Sequence, residues 1–117
     1  FNEEKKVITI STPGKNTVEI SDDDKHIKLT DQNKNEIVMN SSGISLSSAK
    51  DITLKAKGAI TIEATSKINA TAKQDVSLEG LNVKMEAKVS ATVKGNAKAE
   101  LSASGQTTVK GAMVMIN

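Results

Sequence analysis

The chain has 117 residues, with Lys+Arg 16 against Asp+Glu 14, a net charge of +2, no Cys, no Trp, no Tyr and one Phe, Phe1. The lack of Cys excludes a disulfide framework and thiolate metal sites, and the longest apolar run, Ala112 to Ile116, is too short to span a bilayer. Every basic residue is Lys, so the Arg forks and aromatic stacking of nucleic-acid recognition are missing and no nucleic-acid partner is expected.

Residues 1–43 form an irregular β region. Val7–Ser11, Thr17–Ser21, His26–Thr30 and Glu36–Asn40 alternate polar and apolar residues, as half-buried strands do. Between them lie Thr12-Pro13-Gly14-Lys15-Asn16, Ser21-Asp22-Asp23-Asp24-Lys25 and Asp31-Gln32-Asn33-Lys34-Asn35, rich in residues that set or tolerate turn dihedrals. The Asp22–Asp24 run lacks the spaced acids and Gly of an EF-hand loop and reads as a solvated corner. His26, the only His, reads as a surface residue opening a strand.

Residues 44–111 carry a regular repeat. Apolar-x-apolar pairs stand at Ile44/Leu46, Ile52/Leu54, Ile60/Ile62, Ile68/Ala70 and Val76/Leu78, each eight residues after the last. After one step of seven, Val83/Met85, Ala91/Val93, Ala99/Leu101 and Thr107/Val109 resume the period. Two residues past each pair from Leu54 onward sits a small residue: Ala56, Ala64, Ala72, Gly80, Ala87, Gly95, Ala103 and Gly111. Alternation is close to strict, and its parity flips at Gly80–Leu81, as at a bulge or tightened corner. A period of two predicts β-strand and overrides the helical propensity of stretches such as Asn96 to Ala103.

The physics of so thin a strand restricts its architecture. Aromatic rings, the largest parcels of buried area, are absent beyond Phe1, so stability is expected from repetition or oligomerisation. Each unit buries little alone, which makes stacking obligatory. Eight residues are too few to close one turn of a single-chain solenoid, whose repeats usually need about 18–30 residues; they suffice for one side of a turn completed by sister chains. Of a single-chain solenoid and several chains wound into a prism, the spacing favours the second, so the fold expected is all-β, an intertwined homotrimeric prism. Its core is Ile52, Leu54, Ile60, Ile62, Ile68, Val76, Leu78, Val83, Met85, Val93, Leu101 and Val109. At residues 112–117 the alternation stops, leaving Met113, Val114, Met115, Ile116 and Asn117 as a blunt end, apolar on both faces apart from Asn117. Exposed apolar patches mark interaction sites, and Met adapts to a partner surface.

These repeats resemble the C-terminal triple-stranded β-helix of VgrG proteins and of the phage T4-type tail spike. The family's octad, Val-x-Gly and five further residues, stands here as Val93-Lys94-Gly95 and Val109-Lys110-Gly111, and more loosely as Leu78-Glu79-Gly80. The stretches Ile8–Gly14, Asn16–Ile20, Ile27–Asp31 and Asn35–Met39 resemble the VgrG run that leads into that needle.

The resemblance implies a homotrimeric, membrane-puncturing spike of a contractile injection apparatus of the type VI secretion kind. Such a spike is assembled in the bacterial cytoplasm and then injected into a target cell. At about 4.8 Å per strand step, some thirteen strands would extend on the order of 60 Å. Tube and hub would be engaged through N-terminal domains not present here; a chain that opens on Phe1 reads as part of a longer one. The resemblance also implies a PAAR-repeat tip protein docked on Met113 to Asn117, since the His-x-His site with which some phage spikes form their own point is missing. No catalytic residue, metal ligand or cofactor is expected. The alternatives are a phage or extracellular injection spike and, from another class, a β-solenoid adhesin or ice-binding protein. The mixed outward Lys, Glu, Ser, Asn and Thr suit an ice-binding Thr ladder poorly.

Overall fold

The alternating runs at the start of the chain fold as strands with the bounds read from the sequence. In the computed structural model, which describes residues 1–117, these are β1 (Val7–Ser11), β2 (Thr17–Ser21), β3 (His26–Thr30) and β4 (Glu36–Asn40). A fifth strand, β5 (Gly43–Ser47), takes in the first apolar pair of the repeat, Ile44/Leu46. The fold is all-β. The five strands form one antiparallel meander in the order β1-β2-β3-β4-β5, so each pairs only with its neighbours in sequence.

The turns set the register. In the three longer loops a backbone amide closes back three residues, from Lys15 to the Thr12 carbonyl (2.9 Å), from Lys25 to Asp22 (3.3 Å) and from Lys34 to Asp31 (3.2 Å). Each closing Lys is left-handed, with φ of 69°, 54° and 69°, as in hairpins that join a turn to a left-handed residue. Between β4 and β5 the loop is only Ser41–Ser42, and Gly43 supplies the positive φ of 123°.

With those registers, two apolar rows cross the whole sheet on one face. One runs Ile8–Ile20–Ile27–Met39–Ile44 and the other Ile10–Val18–Leu29–Ile37–Leu46. The opposite face is mostly polar, for example Ser11–Thr17–Thr30–Glu36–Ser47. Nothing covers the apolar face. No hydrophobic residue of the chain is buried, and the one buried residue is polar, Ser21 at 3% exposure.

Beyond Ser47 the alternation continues but the ladder stops. No further strand forms, and no backbone–backbone hydrogen bond involves a residue past Ser47. Instead the chain runs in segments without regular secondary structure, interrupted by two-residue bends at 49–50, 57–58, 65–66, 73–74, 81–82, 88–89, 96–97, 104–105 and 112–113. The bends recur every eight residues, with one step of seven between 81–82 and 88–89. The strands expected beyond Ser47 do not form within the single chain, because a strand is completed by a neighbour that this chain does not supply. The parity flip at Gly80–Leu81 coincides with the shortened step.

The small residues of the repeat explain where the bends fall. Each of Ala56, Ala64, Ala72, Gly80, Ala87, Gly95, Ala103 and Gly111 immediately precedes a bend. A Cβ on Gly80 would lie 3.3 Å from the Asn82 carbonyl oxygen and one on Gly111 3.2 Å from that of Met113; on Gly95 it would overlap the Lys98 carbonyl. The chain turns tightly there, and a larger side chain would stand in its way. Two compact units result, Phe1–Ser66 and Lys67–Asn117.

Candidate assembly interface

Three features of the chain are incomplete on their own. The first is the apolar sheet face. Most of its ten side chains are at least one-third exposed, up to 64% at Ile10 and 78% at Ile44. An antiparallel sheet normally keeps one such face against a core; here the face is open.

The second is the backbone from Ile52 to Asn117, whose N–H and C=O groups have no intrachain backbone partner. Backbone polar groups in a stable structure are almost always paired, and a row of unpaired ones is a template for pairing with another chain. The expected core residues sit along this stretch with their side chains open: Ile52, Leu54, Ile60, Ile62, Ile68, Val76, Leu78, Val83, Met85, Val93, Leu101 and Val109 are all exposed. No contact within the chain brings them into one core. Leu81 and Val89, at the bends that flank the short step, are almost completely exposed, at 100% and 97%.

The third is the terminal run. Met113, Val114, Met115, Ile116 and Asn117 are all exposed.

The polar face of the sheet carries its own order. His26 Nε2 lies 3.0 Å from Glu19 Oε2 on the neighbouring strand, and the His side chain is half-buried rather than free at the surface. Sequence reading missed this pair, since the two residues are brought together only by the β2–β3 register. The signal available was the four-residue loop Asp22–Lys25, which sets Ser21 opposite His26. Lys28 Nζ sits 3.6 Å from Glu36 Oε2 on the next strand. The Asp22–Asp24 run stays in its turn, where Ser21 Oγ accepts the Asp24 amide at 3.0 Å.

A further cluster fastens the end of β5. Asp31 accepts the backbone amides of Asn35 (2.8 Å) and Asn33 (2.9 Å) and both side-chain amides. These bonds, the Asn35 backbone amide foremost, hold its carboxyl below the usual carboxylate range. Asn35, oriented by Asp31, offers its Oδ1 to the Ser48 hydroxyl (2.9 Å) and the Ala49 amide (3.2 Å). The first bend is thereby pinned to the β3–β4 turn.

An apolar face with no cover, a strand-like backbone with no ladder and a repeat of fixed length define a β-structured assembly domain, one that other chains complete. Comparison with known families agrees: the model for the phage baseplate V C-terminal trimerisation domain matches residues 7–117. The chain belongs to that family, a structural class of baseplate spike domains. No curated protein matches it.

Proposed function

We propose that three copies of this chain wind together as the intertwined β-helical spike of a contractile injection apparatus of the VgrG kind, working in type VI secretion. The observation that carries the reading is the unpaired backbone of residues 52–117, with its apolar side chains exposed. Other copies of the same length and period satisfy both at once, and the family's trimerisation role supports the number three. Residues 1–43 lead into the spike, 44–111 form its repeat and 112–117 its blunt tip. The core positions named above face the common axis. The protein acts mechanically, driven through a target membrane after assembly in the bacterial cytoplasm, with tube and hub reached through domains preceding this sequence.

The tip is the second part of the proposal. Three copies of Met113 to Asn117 make an apolar platform for a PAAR-repeat protein. Met115→Asp is expected to leave the trimer intact and abolish binding of a PAAR protein in a pull-down or titration; unchanged affinity removes the platform. The family's phage designation favours a second reading, a phage or extracellular injection spike, which failure of every PAAR protein to bind would promote. The assembly itself is tested by solution mass from light scattering, with and without mild detergent. A resistant mass of three chains is expected, while a folded monomer overturns the reading and moves the lead to a self-closing solenoid such as an adhesin.

A further inference from the structure

The meander has two edges. Beyond β5 the chain runs on into the repeat, whereas the outer edge of β1 is open, and the chain has already begun to cover it. Asn2 and Val7 form an antiparallel bridge in which each amide donates to the other's carbonyl, at 2.7 and 3.0 Å. The loop they enclose, Glu3–Lys6, copies the loop Asp22–Lys25 between β2 and β3. Both close on a left-handed Lys, with φ of 52° at Lys6 and 54° at Lys25. In both, a side-chain oxygen of the residue before the loop accepts the amide three residues on. Asn2 Oδ1 accepts from Lys5 and Ser21 Oγ from Asp24, each at 3.0 Å. A loop of this kind joins two strands; here β1 is one arm, and Phe1 and Asn2 are the end of the other.

The backbone fixes which groups of β1 lie on that edge. Val7 turns both its amide and its carbonyl to Asn2, while the Lys6 carbonyl accepts the Asp22 amide on the β2 side, at 3.0 Å. Successive residues of a strand aim their polar groups to opposite sides, so Thr9 and Ser11 share the edge of Val7, and Ile8 and Ile10 bond to β2. Continuing the Asn2–Val7 pairing sets Phe1 opposite Ile8, the residue before Phe1 opposite Thr9, and the third residue before Phe1 opposite Ser11. Ile10 shows how open the edge is: it is 64% exposed, against 39% for Leu29 and 40% for Ile37 in the same row.

We infer that the segment leading into Phe1 is a strand antiparallel to β1, which pairs with Thr9 and Ser11 and adds a sixth strand to the five of the sheet. The inference rests on the proposed function only in taking residues to precede Phe1, and not on the number of copies. Whatever precedes the spike is then joined to it through a hydrogen-bonded strand pair, so force passing along the chain loads a ladder instead of a slack linker. The second residue before Phe1 falls opposite Ile10, in the apolar row, and is expected to be apolar.

The test compares the chain beginning at Phe1 with one extended by the residues that precede Phe1 in its gene. Amide hydrogen exchange at Thr9 and Ser11 is expected to be slower in the extended chain by about tenfold or more. Thr9→Pro removes an amide that faces the outer edge, a loss that an edge strand tolerates and an inner strand does not. It is expected to lower the melting temperature of the extended chain by several degrees and to leave that of the shorter chain nearly unchanged. Ile10→Pro, which removes an amide bonded to β2, lowers both. Fast exchange in both chains, or Thr9→Pro tolerated in both, overturns the inference and leaves β1 an open edge. Slow exchange in both also overturns it, because a second copy then covers that edge. Solution mass read on the same samples tests the trimer, so a mass below three chains counts against the earlier reading alone.

Discussion

Residues 7–47 and residues 52–117 follow the same polar–apolar alternation, yet only the first stretch makes hydrogen bonds between its own strands. The difference lies in the corners. Between the early strands, loops of two to five residues reverse the chain, so each strand returns beside the last. In the repeat the two-residue bends redirect the chain without reversing it into a hairpin, and no strand meets its predecessor. Alternation therefore specifies a strand, while the turn decides whether the partner is the same chain or another. Even the early sheet is only half complete, since its ladder is internal and its apolar face is not.

The sharpest way to break this comparison is to disable the part that depends on other copies. Val93→Asp would bring three carboxylates together in an apolar layer, at a cost above the whole stability of a typical domain, about 5–15 kcal/mol. Loss of the trimer by light scattering is expected, with the sheet amides of residues 7–47 the only ones left to show hydrogen-exchange protection. Gly95→Val tests the bends instead. Its side chain would collide with the Lys98 carbonyl, and overpacking of this kind costs about 1–3 kcal/mol. A lowered melting temperature is the readout.

Smaller effects sharpen the other half. Lys25→Gly relieves a left-handed φ of 54°. It should stabilise the β2–β3 hairpin by about 0.5–1 kcal/mol after the entropy of Gly is counted, measured by chemical denaturation. The last concerns pH. The Asp31 carboxyl is held below the usual range, chiefly by the Asn35 amide, so its contribution is fully present above the unfolded carboxylate pKa. As pH falls below that value toward the folded one, the contribution is lost. Denaturation midpoints of the wild type are expected to decline over that acid window, and Asp31→Asn to flatten the slope.

Much of this was legible in the residues. Pro13, Gly14, Asn16 and the Asp and Asn of the later loops marked the turns, and the strands between them have the bounds that alternation gave. The repeat length and its single short step appear in the structure as the spacing of bends. Missing from that reading were features set by register and backbone handedness. His26 and Glu19 are seven residues apart and meet only once the β2–β3 pairing is fixed. The left-handed positions went to Lys15, Lys25 and Lys34 rather than to Gly, so composition gave no sign of them. The Asp31–Asn35–Ser48 chain joins a turn to a bend 13 residues further on, beyond the reach of a local pattern.

The single step of seven residues carries a consequence for fidelity. A perfectly uniform repeat is degenerate: sliding one copy past another by a whole octad would leave almost every contact looking the same, and misaligned bundles would compete with the correct one. One missing residue breaks that translational symmetry. A copy slid by a whole unit would carry its short step, at 81–82 to 88–89, away from the height at which the other copies have theirs. The deletion acts as an alignment mark, and of all possible slides it leaves one in which three chains agree along their whole length.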